Sequence, residues 1–212
     1  MQSNPHNRFD AVHAPGQRHS ALREQGDDHA ERGDFGGAER CYAEASRLTP
    51  EEPGPYVGLA TVYLQTGRLR EAESTFRIAQ RLRPNCAEAL GGLAMVYQAR
   101  RAYPSAFEMY LKCLELDSDN LVALLGLFQT SCRMGSFAMI TQYLERYLRS
   151  HPGDTSVLFC LATLYARDNK LRQAREVLAE LLRLQPQNAQ WARLLASVED
   201  LLAAEASKEA NT

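Results

Sequence analysis

The sequence predicts an all-α protein built from one helix pair repeated five times. Three observations carry this. Pro50, Pro84, Ser118, Pro152 and Pro186 stand 34 residues apart. Counting back from them divides the chain into blocks that start at His19, Pro53, Ala87, Leu121 and Thr155. Within each block apolar residues recur at the 3.6-residue period of a helix, and small residues recur at fixed places.

Each block holds a first helix whose inward stripe is positions 4, 7, 8 and 11. Position 4 reads Leu22, Tyr56, Leu90, Leu124, Leu158, and position 11 reads His29, Tyr63, Tyr97, Ser131, Tyr165. Position 8 reads Gly26, Ala60, Ala94, Phe128, Ala162. A second helix follows, with its stripe at positions 17, 20, 24 and 27. Position 20 is Ala38, Ala72, Ala106, Ile140, Ala174, and position 24 is Tyr42, Phe76, Tyr110, Leu144, Leu178. Small residues at positions 8 and 20 let the two backbones approach; larger ones would hold the axes apart.

Punctuation falls between the stripes. Position 15 holds Gly33, Gly67, Arg101, Gly135 and Asn169. A turn there needs a left-handed backbone, which Gly and Asn tolerate and Arg101 does not readily adopt. The proline column ends each second helix, and Asn120, Asp154 and Asn188 stand where the next helix needs an N-cap. Residues 189–206 put Trp191, Leu194, Leu195, Val198, Leu201 and Leu202 on one face, the pattern of a C-terminal capping helix. Residues 1–18 and 207–212 read as flexible polar tails.

Composition agrees with a folded chain. Of 212 residues 45% are hydrophobic and 24% charged, and the formal net charge is −2. That balance lacks the basic excess of a general nucleic-acid binder. The longest apolar run, about Leu121 to Phe128, is too short to cross a bilayer, and with a polar opening MQSNPHNRFD export through a signal peptide is not expected. Cys41, Cys86, Cys113, Cys132 and Cys160 are odd in number and lack C-x-x-C spacing. They read as free thiols in a reducing, cytoplasmic setting. No phosphate-binding loop, dinucleotide fingerprint, zinc-protease or serine-hydrolase motif occurs, so neither a cofactor, a metal nor an enzymatic activity is expected.

The columns resemble those of the tetratricopeptide repeat (TPR) family, in five consecutive blocks over 19–188 (19–52, 53–86, 87–120, 121–154 and 155–188). The resemblance implies a right-handed superhelix, an α-solenoid of helix-turn-helix repeats, with first helices lining the concave face. It also implies that partners contact positions 2, 5, 9, 12 and 13 of those helices. In repeat one these are Ser20, Arg23, Asp27, Ala30 and Glu31. In the later repeats the resemblance singles out Val57, Thr61 and Leu64; Gly91, Met95 and Gln98; Val122, Leu125 and Gln129; and Phe159 and Thr163. Chaperone-binding members of the family grip an acidic chain end with Lys, Asn and Arg, but here Asp27 stands where that clamp has Asn. An apolar or amphipathic protein segment is the expected ligand, with self-association open and neither nucleic acid nor membrane insertion expected. The expected role is an adaptor or assembly scaffold; the alternative is a chaperone that shields a hydrophobic segment of one client. Repeat four departs most: Phe128, Ile140 and Tyr147 replace small residues and Ser131 replaces an aromatic, which means either compensating volume or a widened groove.

Overall fold

The computed structural model describes residues 15–137 and 139–209. The remainder of the predicted tails lies outside those residues. Eleven helices occur among the described residues. The chain divides into two compact units, 1–117 and 118–212.

Unit 1 holds α1 (Pro15–Glu31), α2 (Phe35–Leu48), α3 (Pro53–Gln65), α4 (Leu69–Leu82), α5 (Ala87–Ala99) and α6 (Tyr103–Leu116). Consecutive helices pack as antiparallel pairs, and the first helices α1, α3 and α5 also touch in series. The first helix begins at Pro15, inside the stretch read as a tail, and so runs four residues ahead of the repeat frame. Ala38, Ala60, Ala72, Ala94 and Ala106 are fully buried, as the small columns require.

One column escaped the sequence reading. Tyr42 and Phe76, at position 24, lie against Gly58 and Gly92, at position 6 of the next repeat. A methyl group built on Gly58 would stand 2.5 Å from Tyr42 Cε1, and one on Gly92 would overlap the Phe76 ring more closely still. Each aromatic ring therefore fills the place of a missing side chain on the following helix, which fixes how one repeat sits on the next.

The turns follow the expected punctuation. Gly33, Gly67 and Gly135 have φ of 76°, 75° and 69°. Arg101 and Asn169 adopt the same left-handed region, at 60° and 57°. Arg101 thus takes a conformation costing about 1 kcal/mol for a residue with a Cβ, because the helix pair on either side dictates the turn.

Unit 2 holds α7 (Leu121–Met134), α8 (Ile140–Ser150), α9 (Thr155–Arg167), α10 (Leu171–Leu184) and α11 (Ala189–Glu209). The three expected N-caps form. Asn120 Oδ1 accepts from the Ala123 N–H, Asp154 Oδ1 from Ser156 and Val157, and Asn188 Oδ1 from Gln190 and Trp191. Trp191 and Val198 of α11 are buried, and the Trp191 ring stacks on Phe159 of α9 at 6.4 Å.

Repeat four is altered in its backbone. Its second helix begins at Ile140, position 20, whereas the other second helices begin at position 17. Phe137, which fills position 17, lies outside the helix with the Arg167 guanidinium 3.9 Å over its ring. Ser131 is fully buried where the first helices of repeats two, three and five carry tyrosine. The hydroxyls of Thr130 and Ser131 have no hydrogen-bond partner among the described residues.

All five thiols are free. Cys86, Cys113 and Cys160 are buried, Cys41 is half-buried and Cys132 is exposed. Burial pushes the Cys113 thiol up to about 11 and that of Cys160 to about 12. With an aromatic disulfide reagent at pH 8 the native protein should label at Cys132 first and at Cys41 slowly. The other three should react only on unfolding. Peptide mapping by mass spectrometry checks this; rapid native labelling of Cys160 would contradict the packing of α9.

Candidate functional site

The first helices of unit 1 border a trough of about 520 Å³. The face of α1 contributes Arg23, Asp27, Ala30 and Glu31, and that of α3 contributes Gly54, Val57, Thr61 and Gln65. Arg83, Cys86 and Glu88 close it from the turn into α5, and Tyr42 forms part of the floor. Residues at first-helix positions 2, 5, 9, 12 and 13 make up much of the wall, with Pro53, Gly58 and Val62 of α3 beside them.

The floor is built from local bonds. Tyr42 lies over Gly58, and its hydroxyl donates to Asp27 Oδ1 at 2.5 Å. Burial, together with that carboxylate, raises the Tyr42 phenol above its ordinary range, so it stays a donor. Thr61 Oγ1 donates back to the Val57 carbonyl at 2.9 Å, which engages its hydroxyl proton within α3. Gly54 lacks the side chain that would meet Arg23: a methyl there would stand 3.4 Å from Arg23 Nη1. The Glu88 carboxyl is held below its ordinary range by its own backbone N–H and by the Cys86 thiol, with Arg83 adding its charge.

The expected contact residues divide between the units. Val57, Thr61, Leu64, Gly91, Met95 and Gln98 belong to unit 1. Val57 and Thr61 line the trough, while Leu64 packs half-buried against the core around Phe76. Val57 also touches the core at Ala79, Cys86 and Ala89, so it serves folding as well as the surface. Gly91 lies half-buried beside Cys113, and Met95 is exposed. Gln98 Oε1 accepts from the Tyr110 hydroxyl at 2.6 Å and so anchors a buried ring. In unit 2, Val122 is 62% exposed, Gln129 is exposed and Leu125 half-buried. Thr163 donates to the Phe159 carbonyl, and the Phe159 ring is partly covered by Trp191. Phe159 thus supports the cap as well as presenting a surface.

Pro53, Gly58, Val62, Arg83, Cys86 and Tyr42 are the trough residues that sequence reasoning missed. Arg83 and Cys86 lie in an inter-repeat turn. Tyr42 belongs to a core column, and no periodicity shows that its hydroxyl reaches α1.

A second hollow, about 730 Å³, opens on α4 around Arg68, Arg70, Glu73, Arg77 and Arg100. It is larger, but the charges of Arg68, Glu73, Arg77 and Arg100 are already engaged. Glu73 accepts from both Arg77 and Arg100, and the Arg77 guanidinium also donates to the Tyr97 hydroxyl at 2.6 Å. Arg68 pairs with Glu39 at 2.6 Å and lies over the Tyr63 ring. Burial raises the Glu73 carboxyl, but the two guanidiniums overbalance it and hold the group below its ordinary range. These bonds join α4 to α5, so the cluster acts as a staple between repeats.

No helix among the described residues is long and apolar enough to cross a membrane.

The sequence profile of the tetratricopeptide repeat family matches residues 29–96 and 141–198, more than half of the chain. Anaphase-promoting complex subunit 7 of Arabidopsis thaliana is 31% identical over 134 residues, 63% of this chain and 24% of that protein. Anaphase-promoting complex subunit 3 of Schizosaccharomyces pombe is 23% identical over 146 residues, 69% of this chain and 22% of that one. The chain therefore spans less than a quarter of either relative. Among solved structures, Pseudomonas aeruginosa pilF superposes with a TM-score of 0.76 at 19% identity, over 92% of this chain and 89% of that one. The first TPR domain of Spaghetti (RPAP3), bound to an HSP90 peptide, superposes at 0.54 and 24% identity, over 59% of this chain and 100% of that one. At these identities the structures establish the fold alone.

Proposed function

Because the chain belongs to the tetratricopeptide repeat family, we propose that it is a non-catalytic adaptor or assembly scaffold, and that it holds a peptide segment of a partner protein in the trough of unit 1. The observation that carries this is the trough itself: first-helix positions of two successive repeats form one hollow with an apolar floor and a charged rim. A hollow of that size takes two or three side chains of an extended segment. Two relatives are named as subunits of a multiprotein complex, and one fold neighbour holds a peptide, which supports a ligand of the same kind. We assign the repeats to 19–52, 53–86, 87–120, 121–154 and 155–188, with 189–206 as cap and cytoplasm as the working compartment. The face of Val122, Leu125, Gln129, Phe159 and Thr163 offers unit 2 a contact surface of its own. Protein is favoured over nucleic acid because Arg68, Arg77 and Arg100 are bound to Glu39 and Glu73.

Thr61→Tyr tests the assignment, since a ring at position 61 fills the trough without touching the packed stripe. Wild type, Thr61→Tyr and the outward control Arg70→Ala are compared in a quantitative pull-down of native partners, each checked for helicity. Thr61→Tyr should weaken binding about ten- to hundredfold, the equivalent of losing about 1.5–3 kcal/mol of apolar contact. Arg70→Ala should bind as wild type. Full retention by folded Thr61→Tyr would remove the trough from consideration.

A further inference from the structure

Resting on that reading of the trough, we propose that its occupant is zwitterionic: an extended partner segment with an acidic and a basic side chain three or four residues apart and an apolar side chain between them.

The argument starts from the order of charges along α1. Arg23, Asp27 and Glu31 are four residues apart and share one helix face, and all three line the trough. Arg23 lies toward the start of the helix and reaches over Gly54 in the first turn of α3. Glu31 is the last residue of α1, and Gln65 is the last of α3. The two helices run in the same direction because α2 returns the chain between them. Arg83, in the turn that leads into α5, belongs to the end where Arg23 lies. One end of the hollow therefore presents two guanidiniums and the other the Glu31 carboxylate, with Asp27 midway between Arg23 and Glu31.

The other polar groups do not cancel this polarity. Glu88 shares the basic end, where its ionised carboxylate accepts from the Cys86 thiol and offsets one of the two guanidiniums, so that end keeps one net positive charge. Asp27 uses one oxygen for the Tyr42 hydroxyl and keeps the other. Glu31 makes no ion pair among the described residues. Between the two ends lie Val57, Asp27 and Thr61.

Three ligand chemistries compete. A chain with acidic groups only would satisfy Arg23 and Arg83 but set like charge against Asp27 and Glu31. A wholly apolar segment would strip water from four charges and return nothing. A segment with one charge of each sign pairs both ends and leaves its apolar side chain over Val57. The spacing follows from geometry. Arg23 and Glu31 are eight residues apart, about 12 Å at the helical rise. An extended peptide covers about 12 Å in three or four residues.

The test is selection from a phage-displayed random dodecapeptide library on the full chain, on Glu31→Arg and on Thr61→Tyr. Wild type should enrich peptides with an acid and a base three or four apart around an apolar residue. Glu31→Arg keeps a favourable cation at the end of α1. It should drop the basic position and enrich a second acid. A synthetic peptide of the wild-type consensus should bind Glu31→Arg about three- to tenfold more weakly, and its all-acidic counterpart should bind it more tightly than it binds wild type. Glu31→Gln, which adds no charge, should lie between. If wild-type peptides lack the paired charges, or carry the same pattern on Glu31→Arg, the zwitterionic inference fails and the trough assignment stands. If Thr61→Tyr enriches the same peptides as wild type, or wild type enriches none, the trough assignment fails and the inference with it.

Discussion

Trp191→Ala should lower the stability of unit 2 by about 3–5 kcal/mol, the cost of truncating a large buried ring that the surroundings cannot refill. Trp191 is 7% exposed, and it stacks on Phe159, itself in the α9 face that repeat five would otherwise leave open. Asn188 fixes its place by capping α11 through the Gln190 and Trp191 amides. Seven residues on, Val198 is buried to 1%, so the contact runs along about two turns of the cap. Urea unfolding followed by far-ultraviolet circular dichroism measures the loss. Removal of residues 189–212 should go further and lower solubility, because it uncovers the whole terminal face of α9 and α10. A loss below about 1 kcal/mol for Trp191→Ala would mean that α11 does not stabilise the unit. Phe159→Ala should share part of the effect, which makes it a poor probe of binding alone.

Neighbouring glycines of α5 should respond in opposite directions. Gly92→Ala puts a methyl group into the Phe76 ring, which is 1% exposed and has no free space to move into. Overpacking of this kind costs about 1–3 kcal/mol, more than the helix gains from alanine. Gly91→Ala puts its methyl 3.4 Å from Cys113 Sγ, close to ordinary contact. There the helical preference of alanine over glycine, about 0.5–1 kcal/mol, should show as a gain or leave stability unchanged. Denaturant midpoints of the two variants decide the matter. Equal destabilisation by both would mean that the ring of position 24 does not seat on position 6 of the next repeat.

The two glycines also mark the limit of what periodicity shows. Position 6 reads Glu24, Gly58, Gly92, Gly126 and Cys160. Glycine there carries no apolar signal, so a search for hydrophobic stripes passes over it. Its role appears only when the Tyr42 and Phe76 rings are seen lying on it. Repeat four shows the same limit from the other side. The replacements at Phe128, Ser131 and Ile140 are plain in the sequence, but volume arguments address side chains and not the backbone. The start of α8 at Ile140 is seen only in the structure.

The sequence by itself determined the helix pairs, their 34-residue frame, the left-handed turns at position 15 and the three capping residues. These depend on local physics: helical period, backbone sterics at a turn, and bonds between residues two or three apart. Arg101 belongs with them, since the frame placed a left-handed turn there against the preference of the residue. The tertiary structure alone decided the seating of repeat on repeat, the staple of Glu73 with Arg77 and Arg100, and the trough with its two charged ends. Each depends on side chains from helices far apart in the chain meeting at distances of a few ångströms. Tyr42 reaching Asp27 and Arg23 crossing Gly54 are bonds and contacts of that kind, and no spacing within a single helix contains them.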